Sequence, residues 1–141
     1  MFILQYQEFD SRQPLYIGSN ICLICFSVVG RVDLISERWL PEVRHNVKAD
    51  TKIILVGTKT DLRNDARVLD DLESQGMCPM DMEKGQRLAR QLGVDGYLEC
   101  SAKTQKGIQD VFKKSVEIAL GRGPTMVPNA ETQNECCCAL Q

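Results

Sequence analysis

Val56-Gly57-Thr58-Lys59-Thr60-Asp61-Leu62 continues the apolar run Ile53-Ile54-Leu55-Val56, and Glu99-Cys100-Ser101-Ala102-Lys103 continues a second run, Gly96-Tyr97-Leu98-Glu99. Each run reads as a short strand, which puts both loops at carboxyl ends of strands, where open α/β sheets bind ligands. An Asp in such a loop can accept hydrogen bonds from the N1–H and the exocyclic amine of guanine, whereas adenine offers no matching pair of donors. A Lys stem beside it can cover the flat face of the base, and a backbone N–H of the second loop can meet the guanine carbonyl. The guanine-binding candidates are therefore Thr58, Lys59, Asp61 and Leu62 in the first loop and Ser101, Ala102 and Lys103 in the second. Either loop alone is a weak signal. Together, in this order and each after a strand, they make a base pocket the reading to test.

The flanking sequence supplies a frame for those loops. Ile21–Val29 has no period-two alternation, the pattern of a strand buried on both faces of a helix-covered parallel sheet. Val32, Ile35, Trp39, Val43 and Val47 then mark one stripe of a helix in which Pro41 predicts a kink or a break. Thr51–Val56 is expected to be the second strand. The charged stretch Arg63–Glu73, with Val68, Leu69 and Leu72 on one side, reads as a short and mostly exposed helix. Asp81 is placed to cap a helix running to Leu92 and ended by Gly93. Tyr97–Cys100 forms the third expected strand. A last helix from near Thr104 should bury Ile108, Val111, Phe112, Val116, Ala119 and Leu120 before Gly121-Arg122-Gly123-Pro124 stops it. Alternating strands and helices predict an α/β fold with a doubly wound, mainly parallel sheet.

Composition narrows the functional classes. A chain of 141 residues, 43% of them hydrophobic, can bury the core of one domain, and a net charge of −2 gives no electrostatic case for nucleic acid. Met1-Phe2-Ile3-Leu4-Gln5-Tyr6 lacks the basic region of a signal peptide, and no apolar run approaches the roughly 18 residues of a membrane span. The expected setting is cytoplasmic, so the 7 cysteines are read as thiols. Cys22 and Cys25 have the spacing of a metal or redox pair, but residues three apart on a strand face opposite ways, so both read as small buried hydrophobes. Cys78 and Cys100 take the same reading. Cys136, Cys137 and Cys138, in a polar tail, need another explanation.

Four segments together narrow the family: Cys25-Phe26-Ser27-Val28, Glu37-Arg38-Trp39-Leu40-Pro41-Glu42, Thr58-Lys59-Thr60-Asp61-Leu62-Arg63 and Glu99-Cys100-Ser101-Ala102-Lys103-Thr104-Gln105-Lys106-Gly107. The chain resembles the Rho family of Ras-superfamily small GTPases from about Glu8 onward, and the charged helix after the first loop is similar to that family's insert helix. The resemblance implies a P-loop small-GTPase fold and binding of GTP and GDP. It also implies that Lys59 and Lys103 contact base and ribose, that Ser101 buttresses the loop carrying Asp61, and that the insert helix meets partners. Trp39 is expected to pack in the core or a groove, and His45 to be a solvated helix residue.

A phosphate cradle of the form G-x-x-x-x-G-K-[ST] is not present in the 141 residues; Gly57-Thr58-Lys59 has no earlier glycine at the required place. Relative to the family the chain reads as amino-terminally truncated, without the first switch. Glu8-Phe9-Asp10, Pro14-Leu15 and Tyr16 look like the end of the second switch. Counted back without gaps, the water-orienting Gln falls on Tyr6, with Gln7 one residue out of register, so no catalytic residue is carried over and no Mg²⁺ site is expected in this chain alone. Met1–Leu4 can add a short strand beside Ile21–Val29, which otherwise becomes a sheet edge.

The chain thus divides into a partial Rho-type domain, residues 1–121, and a flexible tail, residues 122–141. Cys138-Ala139-Leu140-Gln141 fits a C-a-a-X prenylation box, with the terminal Gln favouring farnesyl. One prenyl chain binds reversibly, and Gly123–Glu135 has no Lys or Arg to assist, so Cys136 and Cys137 become candidate palmitoylation sites. The expectation is a chain of signal-transducing GTPase lineage, lipid-anchored to the cytoplasmic face of plasma or internal membranes and deficient in nucleotide binding and hydrolysis. Rho effectors, exchange factors and prenyl-binding chaperones are the implied partners. The alternative is a non-enzymatic, lipid-anchored interaction module or decoy for such partners.

Overall fold

A computed structural model describes residues 2–3, 14 and 16–122. Its sheet has 4 strands in the order β1 (Phe2–Ile3), β2 (Ile21–Ser27), β3 (Lys52–Thr58) and β4 (Gly96–Glu99), all paired in parallel. Cys22 sits opposite Ile53 and Val56 opposite Leu98, so β3 and β4 end side by side. The doubly wound α/β pattern read from the sequence is present. The helices are α1 (Leu40–Asn46), α2 (Ala66–Ser74), α3 (Met82–Leu92) and α4 (Ile108–Ala119).

The missing alternation in β2 has the expected cause. Cys22 and Ile24 pack with Ile35, Leu40, Val43 and Ala89 on one face of the sheet. Ile21 and Leu23 pack with Val111 and Ile118 on the other. Cys25 lies against this second cluster, so Cys22 and Cys25 do face opposite ways. Burial disfavours both thiolates: it pushes the Cys22 thiol up to about 12, with Cys25 adding to the shift, and the Cys25 thiol up to about 11, with Cys100 adding. Neither is a nucleophile at neutral pH. Cys78 departs from the expectation of burial: it is exposed, with the Lys84 Nζ 3.8 Å from its sulfur.

The Pro41 irregularity takes a definite form. Residues 33–46 stay continuously helical, with a π-helical turn over Ile35–Trp39 that runs straight into α1, so Pro41 follows the wider turn that accommodates the bond its missing N–H cannot make. Asp81 caps α3 by accepting from the Lys84 N–H at 2.7 Å, and Gly93 closes it in the left-handed conformation at φ 61°. Asp65 caps α2 in the same way. Trp39 is half-buried against the first cluster, with the Arg38 guanidinium 5.0 Å above its ring, and His45 is exposed on α1.

Several boundaries and one face differ from the sequence reading. β2 stops at Ser27 rather than Val29, because a turn closes from Gly30 N–H to Ser27 O. β3 spans Lys52–Thr58 rather than Thr51–Val56, carrying regular pairing into the candidate loop, and β4 is shifted to Gly96–Glu99. The last helix begins at Ile108, not near Thr104, because Gly107 in the left-handed region breaks the backbone before it. Its apolar face is narrower than expected. Val111 and Ile118 are buried, but Phe112, Val116 and Leu120 are 42%, 56% and 62% exposed. Helix α4 lies over β3 and β4 with a single seam, and positions 112, 116 and 120 fall on its flank.

Strand β1 pairs only with Cys22 and Leu23, so the edge of β2 beyond Leu23 is uncovered by strand among the described residues. Tyr16 is fully buried, and its hydroxyl donates to Glu42 at 2.6 Å. Tyr6, Gln7, Glu8–Asp10, Leu15 and the tail with Cys136, Cys137 and Cys138 lie outside the described residues.

Candidate functional site

The first loop is held from below. Thr58 donates its hydroxyl to the Phe26 carbonyl at 3.0 Å, and the Val28 N–H donates to the Thr58 carbonyl at 3.0 Å. The chain then turns sharply at Lys59, which adopts φ 60° and ψ 37°, and enters a 3-10 turn over Thr60–Leu62. Left-handed backbone is costly for a residue with a Cβ, and its persistence in a loop at a strand end marks a constrained site. The turn throws the Lys59 side chain into solvent while Asp61 turns inward, half-buried.

The second loop meets it there. The Cys100 N–H donates to the Gly57 carbonyl at 2.9 Å, and the Thr60 N–H to the Cys100 carbonyl at 3.4 Å. Ser101 is fully buried; its hydroxyl donates to Asp61 Oδ1 at 2.5 Å and accepts from the Thr104 N–H at 3.2 Å. A second left-handed residue, Gln105 at φ 63°, reaches back to the Ala102 carbonyl at 2.6 Å. One oxygen of Asp61 is therefore oriented by Ser101, and the Ala102 N–H makes no hydrogen bond to another described residue. A carboxylate fixed in the first loop can act as an acceptor, and a backbone amide of the second loop, without a partner among the described residues, as a donor; guanine presents the matching amine, N1–H and carbonyl.

Thr58, Asp61, Leu62 and Ser101 form the floor of this arrangement, half-buried or buried, while Lys59, Ala102 and Lys103 are exposed around it. A cleft of about 820 Å³ is lined by residues of α3, β4, the start of α4 and the first loop. Thr60 and Asp61 line it, whereas Lys59, Ala102 and Lys103 do not. The residues fit the base of a guanine nucleotide; nothing in the sequence supplies a phosphate cradle.

Lys59→Gly separates the backbone cost of this loop from its chemistry. Relief of the left-handed Cβ, worth about 1–2 kcal/mol, is offset by about 0.5–1 kcal/mol from glycine's larger unfolded-state freedom. Urea unfolding should therefore show stability unchanged or raised by up to about 1.5 kcal/mol, and a guanosine titration of the same variant tests whether the Lys59 stem contributes to binding. A clear loss of stability would show that side-chain contacts outweigh the backbone strain.

Sequence reasoning missed Arg63, Tyr97 and Gly85 as residues that build this region, and did not give Glu99 a role. A charged pair flanking both loops and glycines inside regular elements were the available signals. A Cβ on Gly85 would overlap the Tyr97 ring, and one on Gly57 would come within 2.5 Å of its hydroxyl.

Comparison with known proteins follows the same line. Residues 5–120 match the model of the Ras family. The GTP-binding protein RHO1 of Saccharomyces cerevisiae is 40% identical over 117 residues, which is 81% of this chain and 56% of that protein. The GTP-binding proteins rho1 and rho5 of Schizosaccharomyces pombe are 36% identical over 138 and 134 residues; these cover 95% and 92% of this chain, and 68% and 66% of those proteins. The chain thus spans little more than half of the first relative and about two thirds of the other two.

Proposed function

We propose, from the premise that this chain belongs to the Ras family as a Rho-type small GTPase, that its paired loops are a guanine-reading half-site without phosphate machinery of their own. The observation that carries this reading is Asp61 of the first loop, oriented by the hydroxyl of the buried Ser101 of the second at 2.5 Å. Lys59 covers one face of the base, Lys103 lies beside the ribose, and Thr58 and Leu62 support the first loop. The 141 residues contain no G-x-x-x-x-G-K-[ST] cradle of the kind that holds GTP with Mg²⁺, and on this reading the polypeptide alone is deficient in tight nucleotide binding and in hydrolysis.

Asp61→Ala tests the base reading. The wild-type chain should bind guanosine in preference to adenosine in an NMR titration. Removing a carboxylate that accepts two hydrogen bonds should abolish that preference, a change of about tenfold or more in this partly open site. Equal guanosine affinity in wild type and variant sinks the assignment.

The tail supplies location in this reading. Prenylation of Cys138 gives reversible membrane contact, and acylation of Cys136 and Cys137 makes it stable. Cys138→Ser is expected to shift a tagged chain wholly to the soluble fraction, while changing Cys136 and Cys137 to Ser leaves weak, internal-membrane association. Persistent membrane binding of the Cys138→Ser chain refutes the C-a-a-X role. Effectors, exchange factors and prenyl-binding chaperones are the partners this reading implies. Should guanosine preference fail while the tail still localises the chain, a lipid-anchored interaction module becomes the better account.

A further inference from the structure

Beneath the paired loops lies a polar cluster that the base contacts do not use. Arg63, immediately after the 3-10 turn, donates from Nη2 to Glu99 Oε1 at 2.6 Å and from Nε to the Met80 carbonyl at 2.9 Å. Tyr97 donates its hydroxyl to the same Glu99 oxygen at 2.7 Å. The Glu99 side chain is only 9% exposed and that of Arg63 25%, so this is a largely desolvated pair, in which an unpartnered carboxylate would be costly. Burial, reinforced by the Glu99 hydrogen bond and charge, raises the Tyr97 phenol well above its ordinary range and keeps it a donor.

The positions of these residues relate directly to the site. Asp61 lies two residues before Arg63, and Ser101 two residues after Glu99. The loops are thus bridged twice, by Asp61 and Ser101 at the tip and by Arg63 and Glu99 at the root. Two backbone bonds also tie Cys100 to the first loop and its strand, of which Thr60 N–H to Cys100 O is long at 3.4 Å. The Met80 N–H in turn donates to the Val28 carbonyl at 2.7 Å, fixing the root to the end of β2. Gly57 and Gly85 leave the space through which the Tyr97 ring reaches Glu99.

We infer that Arg63, Glu99 and Tyr97 are positioning residues that set the spacing between the Asp61 carboxylate and the Ala102 amide, and thereby determine preference for guanine over adenine. The inference rests on the guanine reading above. Guanine engages donor and acceptor loops at once, so its binding depends on their separation; a base held by stacking alone does not. An ion pair that merely stabilised the fold would affect every region equally. One that sets the loops affects Thr60 and Cys100 first.

The test uses the full chain and the variants Arg63→Lys and Tyr97→Phe, with amide hydrogen exchange and titrations with guanosine and adenosine. Lys keeps the charge but cannot form the forked pair of contacts. Arg63→Lys should weaken guanosine binding about fivefold, because Lys retains the charge and loses only part of the forked contact, and leave adenosine unchanged. Exchange at the Thr60 and Cys100 amides should accelerate by about the same factor, with Leu55 in the centre of β3 unaffected. In the Asp61→Ala background Arg63→Lys should have no further effect on guanosine, because the group being positioned is gone. Tyr97→Phe keeps the ring packing and should give a smaller effect in the same direction, which serves if Arg63→Lys does not fold. Uniform acceleration at all amides, or unchanged guanosine affinity in both variants of a wild type that prefers guanosine, overturns the inference. A wild type with no preference for guanosine overturns the functional reading itself, and the specificity role falls with it.

Discussion

A polypeptide of these 141 residues is expected to bind guanosine, GMP and GDP with nearly the same affinity, in the millimolar range, and to be insensitive to Mg²⁺. Among the described residues the paired loops offer one oriented carboxylate, one amide without a partner there and exposed lysine stems. Contacts of this kind on an open face amount to roughly 4 kcal/mol, a millimolar dissociation constant. A nucleotide held by a phosphate cradle gains most of its affinity from backbone N–H groups, a lysine and a metal ion acting on concentrated negative charge. No G-x-x-x-x-G-K-[ST] sequence occurs in the chain to provide them. Added phosphates should therefore change the affinity by no more than about threefold, the scale of screened attraction to surface lysines. Titration calorimetry or fluorescent-nucleotide binding decides the matter. Sub-micromolar affinity for GDP, or a strong rise in affinity with Mg²⁺, would show that other residues of this chain act on the phosphates.

The same division between local and distant causes explains what was legible in the sequence. The caps at Asp81 and Gly93 were readable because each lies within a turn of the helix it ends. The doubly buried β2 was readable because a parallel strand covered on both faces cannot alternate. The loops at Thr58–Leu62 and Ser101–Lys103 were readable because they combine residue type with position after a strand.

What escaped depends on residues far apart in the chain. Arg63 meets Glu99 across 36 positions, and neither looks different from a solvated charge until the strands are paired. The exposed flank of α4 escaped because helical periodicity gives the spacing of apolar residues but not the number of elements packed against them. Cys78 escaped because residue type alone predicted burial, whereas it lies in the irregular segment between α2 and α3.

Gly107→Ala is expected to produce the largest loss of stability of any single methyl group added at a left-handed glycine of this chain. Gly107 adopts φ +76°, where an L residue costs about 1–2 kcal/mol on backbone grounds alone. The added Cβ would also overlap the Glu99 carbonyl oxygen and come within 3.3 Å of the Cys100 Cα. Both are backbone atoms at the end of β4, so no side-chain rotation relieves the overlap, and displacement adds about 1–3 kcal/mol. The sum, less the roughly 0.5–1 kcal/mol returned by glycine's lost unfolded-state freedom, is about 1–4.5 kcal/mol, a large part of the 5–15 kcal/mol that typically holds a domain together. Gly121 is the internal control, since it adopts φ +68° but a Cβ there meets nothing within 4 Å. Gly121→Ala should cost only the backbone term. In thermal unfolding, Gly107→Ala should lower the midpoint by about 10 °C or more and Gly121→Ala by about half as much. Because relief of the overlap must move the Glu99–Cys100 backbone away from Gly107, the Ser101–Asp61 bridge should loosen with it, and guanosine binding should be lost even at temperatures where Gly107→Ala remains folded. Equal melting points for the two variants would mean that the second loop is soft enough to absorb a methyl group, which is incompatible with a rigid base-reading site.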